Sequence, residues 1–143
     1  MRFSAKSEYA CLAMIELASR YRAGQPVQIK AIADVHGISP RFLVQILLQL
    51  KGAKLVASSR GATGGYTLAR PPESITLADI INSVDPPPKM DSALKGVNPS
   101  PAADCLRHIW HEIGAAEGRI LESTTVAALV ARAQARDVSA YQI

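Results

Sequence analysis

The side chains of this sequence that could serve a metal site or a catalyst are Cys105, His108 and Glu112, spaced by three and four residues. In a helix that spacing places all three on one face. A thiolate and an imidazole suit zinc or iron, and a cysteine can also be a nucleophile with His108 or His111 as its base. No orienting third group, oxyanion loop or phosphate-binding glycine motif accompanies them, so we do not expect an enzyme.

The second cysteine, Cys11, lies within an apolar helical segment, and we expect it in the core. Two cysteines cannot form a disulfide framework, and a reducing compartment suits free thiols. The first residues do not have the layout of a signal peptide, and no segment approaches the roughly 20 apolar residues of a membrane span. The sequence therefore predicts a cytoplasmic protein that does not bind a membrane.

Charge divides the chain into two unlike halves. Residues 1–70 carry ten Lys/Arg and three Asp/Glu, a net charge of +7, whereas residues 71–143 carry six and nine, a net charge of −3. A basic half joined to an acidic half indicates that only the first half meets a polyanion. An unevenly charged solvated surface would give the same pattern.

The elements that would position these groups begin with a helix capped by Ser4, which should end near Gly24. Its apolar residues recur at helical spacing: Ala10, Ala13, Met14, Leu17 and Tyr21. Residues 27–29 favour a short strand, and a second short helix follows and ends at Gly37.

A third helix is predicted after Gly37, which supplies a turn, with Ser39 as its cap and Pro40 at its first position. Its buried stripe comprises Leu43, Ile46, Leu47 and Leu50. Its opposite face carries Arg41, Val44, Gln45 and Leu48. Two helices joined by a tight glycine-containing turn are typical of a helix-turn-helix.

Residues 55–58 and 65–68 read as two short strands around the glycine-rich turn 59–64. A hairpin directly after a helix-turn-helix is a wing. Thr76 is then expected to cap a short helix with an apolar face of Leu77, Ile80, Ile81 and Val84.

The C-terminal part is predicted to be a long helix over residues 102–122, preceded by a linker or loop over residues 85–101. A row of apolar residues at intervals of three and four resembles a coiled-coil seam for a second copy of the chain: Leu106, Ile109, Ile113, Ala116 and Ile120. Ser123 or Thr124 is expected to cap a last helix with Val126, Leu129 and Val130 inward. The predicted fold is mainly α: a winged helix-turn-helix domain with a two-stranded β-wing over residues 1–84, a linker over 85–101, and a dimerisation helix, last helix and tail over 102–143.

Three segments of the chain, residues 4–10, 38–45 and 59–66, resemble the Rrf2 family of bacterial transcription regulators. The wing sequence, an arginine followed by glycines and a tyrosine, is the most specific of them, and the likeness covers nearly the whole chain. The cluster-free CymR type is the most similar. The resemblance implies a homodimeric, sequence-specific repressor that binds double-stranded DNA.

The resemblance also implies which residues meet DNA. The third helix would enter the major groove, with Ser39, Arg41 and Gln45 as major-groove or phosphate contacts, and Arg60 of the wing would enter the minor groove. Glutamine can bond adenine at two points and arginine can do so with guanine. The other expected members of the interface are Arg2 and Lys6 at phosphates and Gly64, Gly65 and Tyr66 of the wing. A solvated helix face and an ordinary hairpin are the alternatives.

Two departures limit the resemblance. Val44 stands where the iron–sulfur members have a glutamate, so their site preference does not transfer, and Val44 could touch a thymine methyl instead. Of the three cysteines that hold a cluster in those members only Cys105 matches, together with His108 as a histidine ligand and Glu8 as a carboxylate from the other subunit. We expect no cofactor. A redox- or metal-responsive sensor with an iron–sulfur cluster or metal ion at Cys105 and His108 is the alternative, and Cys105 packed near the dimer seam is the other interpretation.

The CymR type further implies control of cysteine or sulfur metabolism and a partner, O-acetylserine sulfhydrylase, whose active site captures C-termini that end in isoleucine. This sequence ends in Tyr141, Gln142 and Ile143. A free carboxylate beside an aliphatic side chain suits such capture. An isoleucine at this position by coincidence is the alternative.

Overall fold

The computed structural model describes residues 3–86 and 96–141, with the backbone alone at 138–141. The helices are α1 (Ala5–Ser19), α2 (Ile29–His36), α3 (Pro40–Gly52), α4 (Leu77–Val84), α5 (Pro101–Ser123) and α6 (Val126–Tyr141). Strands β1 (Val56–Ser59) and β2 (Gly65–Leu68) form a two-stranded antiparallel sheet. The predicted mainly helical winged-helix fold with a long C-terminal helix is confirmed.

Helix α1 is the centre of the core. Ser4 caps it, with its hydroxyl accepting from the Ser7 backbone N–H at 3.1 Å. Helices α3, α4 and α6 and strand β2 all pack against α1. Its fully or almost fully buried apolar residues are Ala10, Ala13, Met14 and Leu17. The predicted apolar face is therefore confirmed for these four residues.

The end of α1 differs from the prediction. The α-helix stops at Ser19, and a 3-10 turn over Tyr21–Ala23 carries the chain to Gly24, which is left-handed at φ 69°. Tyr21, predicted on the buried stripe, is 37% exposed because it lies on this turn. The strand predicted over residues 27–29 is also wrong, since α2 begins at Ile29 and only Val27 pairs, with Tyr66.

The helix-turn-helix has the predicted layout. Helix α2 ends at His36, Gly37 after it takes a left-handed φ of 64°, and α3 begins at Pro40. Ser39 occupies the cap position, but its side chain makes no capping hydrogen bond, and only its carbonyl accepts, from the Leu43 N–H at 3.2 Å. The expected buried stripe of α3 is confirmed: Leu43, Ile46, Leu47 and Leu50.

Helices α4 and α6 are each capped by a threonine at their first turn. Thr76 caps α4 through a capping box with Asp79, as predicted. Helix α6 is capped by Thr125, whose hydroxyl accepts from the Ala128 N–H at 3.1 Å. The prediction of Ser123 or Thr124 as that cap is wrong because both hydroxyls donate to the carbonyl of Ile120 instead.

The start of α6 is tied to the start of α4 by backbone bonds. The Leu77 N–H donates to the Thr124 carbonyl at 3.0 Å, and the Val126 N–H donates to the Ile75 carbonyl at 2.9 Å. Val126 is fully buried in the same core as α1 and α3. The division of the chain at residues 84 and 101 stays a prediction.

Within residues 3–86 and 96–141, no single helix has both the length and the apolar character of a membrane span. Helices α2 and α3 satisfy that test only as a pair, across a bend of 120°.

Gly65 of the wing offers a test of the fold. Its φ is 152°, and a Cβ there would lie 2.6 Å from the Val27 carbonyl oxygen, so Gly65→Ala should lower the free energy of unfolding by more than about 1 kcal/mol. Gly52→Ala at the end of α3, where a Cβ meets nothing within 4 Å, is the matched control and should change stability little. Urea denaturation followed by circular dichroism measures both. Equal stability of the two variants would contradict the contact between the wing and residue 27.

Candidate nucleic-acid interface

The outer face of α3 presents both polar and apolar side chains to solvent. Arg41, Val44, Gln45 and Leu48 are spaced by three and four residues and are all exposed. The side chains of Arg41 and Gln45 make no hydrogen bond with any other described residue, and α3 carries no acidic side chain. This face can therefore approach a polyanion and still have hydrogen-bonding groups to offer.

The start of α1 lies beside this helix. Lys6 and Gln45 share the lining of a cavity of about 280 Å³ with Tyr9 and Phe42. The rings of Tyr9 and Phe42 pack at a centroid distance of 6.5 Å. Lys6, predicted at a phosphate, is thus next to the outer face of α3.

Ser39 and Arg2 complete the predicted N-terminal contacts. The Ser39 side chain is exposed at the start of α3, and its hydroxyl is not used for capping. Arg2 lies outside the described residues.

The wing places Arg60 at its turn. Arg60 is exposed and makes no hydrogen bond with the rest of the described chain. The turn closes where the Gly64 N–H donates to the Gly61 carbonyl at 3.0 Å, and Gly61 has a left-handed φ of 98°. A long cationic side chain therefore projects from a short hairpin.

Three contacts brace the wing against the helix-turn-helix. Val27 and Tyr66 exchange two backbone hydrogen bonds of 2.8 and 2.9 Å. The Gln28 side-chain amide donates to the Ala62 carbonyl at 3.2 Å, and Lys51 Nζ donates to Ser58 Oγ at 2.7 Å. Sequence reasoning missed Gln28 and Lys51, since nothing local marks a polar residue as the partner of a distant hairpin.

The wing glycines are required by the packing of the chain itself. A Cβ at Gly64 would collide with the Ser59 carbonyl oxygen and lie 2.8 Å from the Arg60 carbonyl carbon. A Cβ at Gly65 would strike Val27. Tyr66 is half-buried against the core. The predicted roles of Gly64, Gly65 and Tyr66 in DNA binding stay predictions.

The candidate metal ligands form a sparse and open group. Cys105 is exposed, and His108 Nε2 lies 3.5 Å from Glu112 Oε1 with both side chains largely in solvent. The described part of the chain contains no group of three His, Cys, Asp or Glu residues that could hold a metal ion, so Glu8 of α1 does not join Cys105 and His108 within one chain.

Cys11 does not extend that donor set. It packs against the core from α1, and burial, with a smaller contribution from the charge of Glu8, raises the pKa of its thiol to about 11. A thiol must lose its proton to bind a metal. With only two cysteines in the sequence, the residues do not fit a three-cysteine cluster.

Helix α5 carries an exposed apolar row along the predicted seam. Leu106 and Ile109 are 42% and 47% exposed, and Ile113 and Ile120 are 38% and 63% exposed. Ala116 is half-buried. Only Ala103 of α5 is buried within the described chain.

The predicted partner-binding residues fall at the margin of the description. The backbone of α6 runs to Tyr141, whose side chain lies outside the described residues, as do Gln142 and Ile143.

A helix-turn-helix with an adjacent braced hairpin defines this protein as a winged-helix protein. A family model, Rrf2, described as an iron-dependent transcriptional regulator, matches residues 3–132, and the chain belongs to that family. The chain is 40% identical over 129 residues to Rv1287 of Mycobacterium tuberculosis, across 89% of this chain and 80% of the relative. It is 36% identical over 126 residues to the regulator CymR of Bacillus subtilis, across 88% and 87%.

Solved structures agree with this assignment. The structure of CymR, the global cysteine regulator of B. subtilis, superposes with a TM-score of 0.81 at 34% identity, covering 92% of this chain and 98% of CymR. The T. potens IscR structure superposes with a TM-score of 0.77 at 33% identity, covering 93% and 88%. These relatives are transcription regulators rather than enzymes, which confirms the prediction that this protein is not an enzyme. The chain is a transcription regulator of the Rrf2 family.

The raised pKa of Cys11 predicts that its thiol reacts slowly with alkylating reagents. In a Cys105→Ser variant, where Cys11 is the only cysteine, iodoacetamide at pH 8 should modify the folded chain far more slowly than the urea-unfolded chain, because the thiolate is the nucleophile. The folded-state rate should rise as the pH approaches 11. Mass spectrometry of timed samples measures it, and equal rates in the folded and unfolded chains at pH 8 would contradict the burial of Cys11.

Proposed function

We propose that this protein is a sequence-specific DNA-binding repressor that acts as a homodimer. The observation that carries the proposal is the arrangement of Arg41 and Gln45 on the outer face of α3 with Arg60 on the braced wing. None of these side chains is hydrogen-bonded within the described residues. Unpaired donors on rigid elements of a basic half are suited to base edges and phosphates.

In the proposed complex α3 lies in the major groove. Arg41 reads a guanine and Gln45 an adenine, since each can make two hydrogen bonds with that base. Arg60 enters the minor groove, whose negative potential attracts arginine where the groove is narrow. Ser39, Lys6 and Arg2 contact phosphates.

The homodimer rests on the exposed row of α5. Four large aliphatic side chains at coiled-coil spacing lie in solvent in one chain, and a second copy would cover them by the same row in a two-fold arrangement. Two winged domains then read two half-sites of a palindromic operator.

Substitution of single basic residues should distinguish sequence-specific contacts from non-specific contacts with DNA. Lys6→Ala should weaken binding to all duplexes and lower the slope of log affinity against log salt by about 1, because one phosphate contact is lost. Arg60→Ala should also reduce the preference for sites with a narrow A·T minor groove. Arg132→Ala removes an exposed cation from α6 and is the control. Fluorescence anisotropy over a salt series measures all three, and a Lys6→Ala slope equal to that of the parent chain and of Arg132→Ala would rule out the Lys6 contact.

A charge within the α5 row should dissociate the dimer. Ile113→Glu places a carboxylate among desolvated aliphatic groups, so we expect a monomer at micromolar concentration and loss of binding to a two-half-site duplex. Ala115→Glu adds the same charge at an exposed position of α5 outside the row and should leave the dimer intact. Sedimentation equilibrium distinguishes them. A parent chain that is itself monomeric at this concentration would refute the homodimer.

We further propose that the regulated genes belong to cysteine or sulfur metabolism. The support is the 36% identity to CymR of B. subtilis, whose solved structure is described as that of the global cysteine regulator. The proposed contact of Tyr141, Gln142 and Ile143 with O-acetylserine sulfhydrylase rests on the resemblance alone.

That contact can be measured directly. Ile143→Glu should abolish calorimetric binding of the full chain to O-acetylserine sulfhydrylase, because an apolar slot does not accept a carboxylate. Arg132→Ala, on the exposed surface of α6, should bind as the parent chain does. Unchanged binding by Ile143→Glu would exclude the proposed contact.

A further inference from the structure

Two aliphatic side chains, Val44 and Leu48, lie on the outer face of α3. Val44 is 41% exposed and Leu48 is 57% exposed, one helical turn apart. Arg41 precedes Val44 by three residues, and Gln45 precedes Leu48 by three, so polar and apolar side chains alternate along the face.

Within residues 3–86 and 96–141, the core does not use this pair. The buried stripe of α3 is formed by other residues, and neither Val44 nor Leu48 is among the partly buried side chains that pack on the core. Both side chains are held on a helix that carries no acidic side chain of its own. The two side chains can therefore contact an apolar group on a partner that is itself a polyanion.

Double-stranded DNA presents one such group in the major groove, the C5-methyl of thymine, and apolar side chains contact it. Val44 and Leu48 are four residues apart, which is about 6 Å along a helix, close to two base-pair steps of about 3.4 Å. Two methyl groups on nearby base pairs are thus within reach of the pair at once.

We propose that Val44 and Leu48 each contact a thymine methyl group, so that the protein prefers thymine at two positions of each half-site beside the base pairs read by Arg41 and Gln45. The inference rests on the proposed DNA binding through α3. It assigns to the apolar pair the selection of T·A over the other base pairs at those two positions.

Deoxyuridine provides the test because it lacks only the methyl group of thymidine and keeps its hydrogen-bonding edge. The full chain is first used to select duplexes from a random-sequence library. The tightest duplex is then resynthesised with one thymidine at a time replaced by deoxyuridine. Affinities are measured for the parent chain, Val44→Ala, Leu48→Ala and the control Val97→Ala, which truncates an aliphatic side chain that is 51% exposed outside α3.

For the parent chain and Val97→Ala we expect about a fourfold loss of affinity at two positions of each half-site, the value of one buried methyl group. Other replacements should have little effect. Val44→Ala should be indifferent to deoxyuridine at one of the two positions and Leu48→Ala at the other. Because both side chains are largely exposed, these variants should fold as the parent does, which circular dichroism checks.

Two results would overturn the inference and leave the proposed function standing. One is tight, salt-dependent, sequence-selective binding by the parent chain that no deoxyuridine replacement alters. The other is a thymine preference that Val44→Ala and Leu48→Ala both retain. Selection of no sequence from the library would overturn the proposed function, and the inference with it.

Discussion

The close packing of α1 against its neighbours is the constraint on which the other features depend. Ala10 and Ala13 are fully buried, and their small side chains let adjacent helices approach the α1 backbone, while Met14 and Leu17 fill the space between them. The helix that carries the outer face, the wing strand β2 and the last helix α6 are positioned through this one contact surface, whereas α5 packs on α4. The distance between α3 and the wing is therefore set by the core together with the hydrogen bonds of Gln28 and Lys51 to the wing.

On this framework the exposed groups need little local support of their own. Arg41 and Gln45 are held by the buried stripe on the opposite side of α3, and Arg60 by a hairpin that is bonded to Val27 and Gln28. Such side chains lose little backbone entropy on binding, because the backbone beneath them is already fixed. The interface can therefore exchange its side chains in evolution without changing the fold.

The sequence predicted the parts of the fold that local chemistry determines. Gly37 with Pro40 marks the turn and the start of α3, and the capping box of Thr76 and Asp79 marks the start of α4. The cap of α6 could not be found this way. Three hydroxyl residues stand in a row before it, and Thr125 takes the position because its neighbours Thr124 and Val126 are bonded to Leu77 and Ile75, far away in sequence.

The candidate site likewise has features that the local sequence predicts and features that depend on contacts with distant residues. Spacing alone placed Arg41, Gln45 and Leu48 on one exposed face, because helical periodicity is a local property. The strand expected at residues 27–29 reduced to a single bridge, since the apolar pattern there could not show that α2 begins at Ile29. The need for glycine at position 64 could not be predicted either. A Cβ there would collide with backbone atoms of Ser59 and Arg60 on the opposite side of the turn.

The seating of Val126 in the N-terminal core has a mechanical consequence. Within the described residues the last helix is fixed to the N-terminal core, because the residues around Val126 are hydrogen-bonded to the segment that begins α4 and packed beside α1. A densely packed interior does not yield gradually, so a tilt of α6 must be shared with α1 or resisted altogether. A force applied to α6 is therefore transmitted to α1, and through α1 to α3 and the wing strand β2.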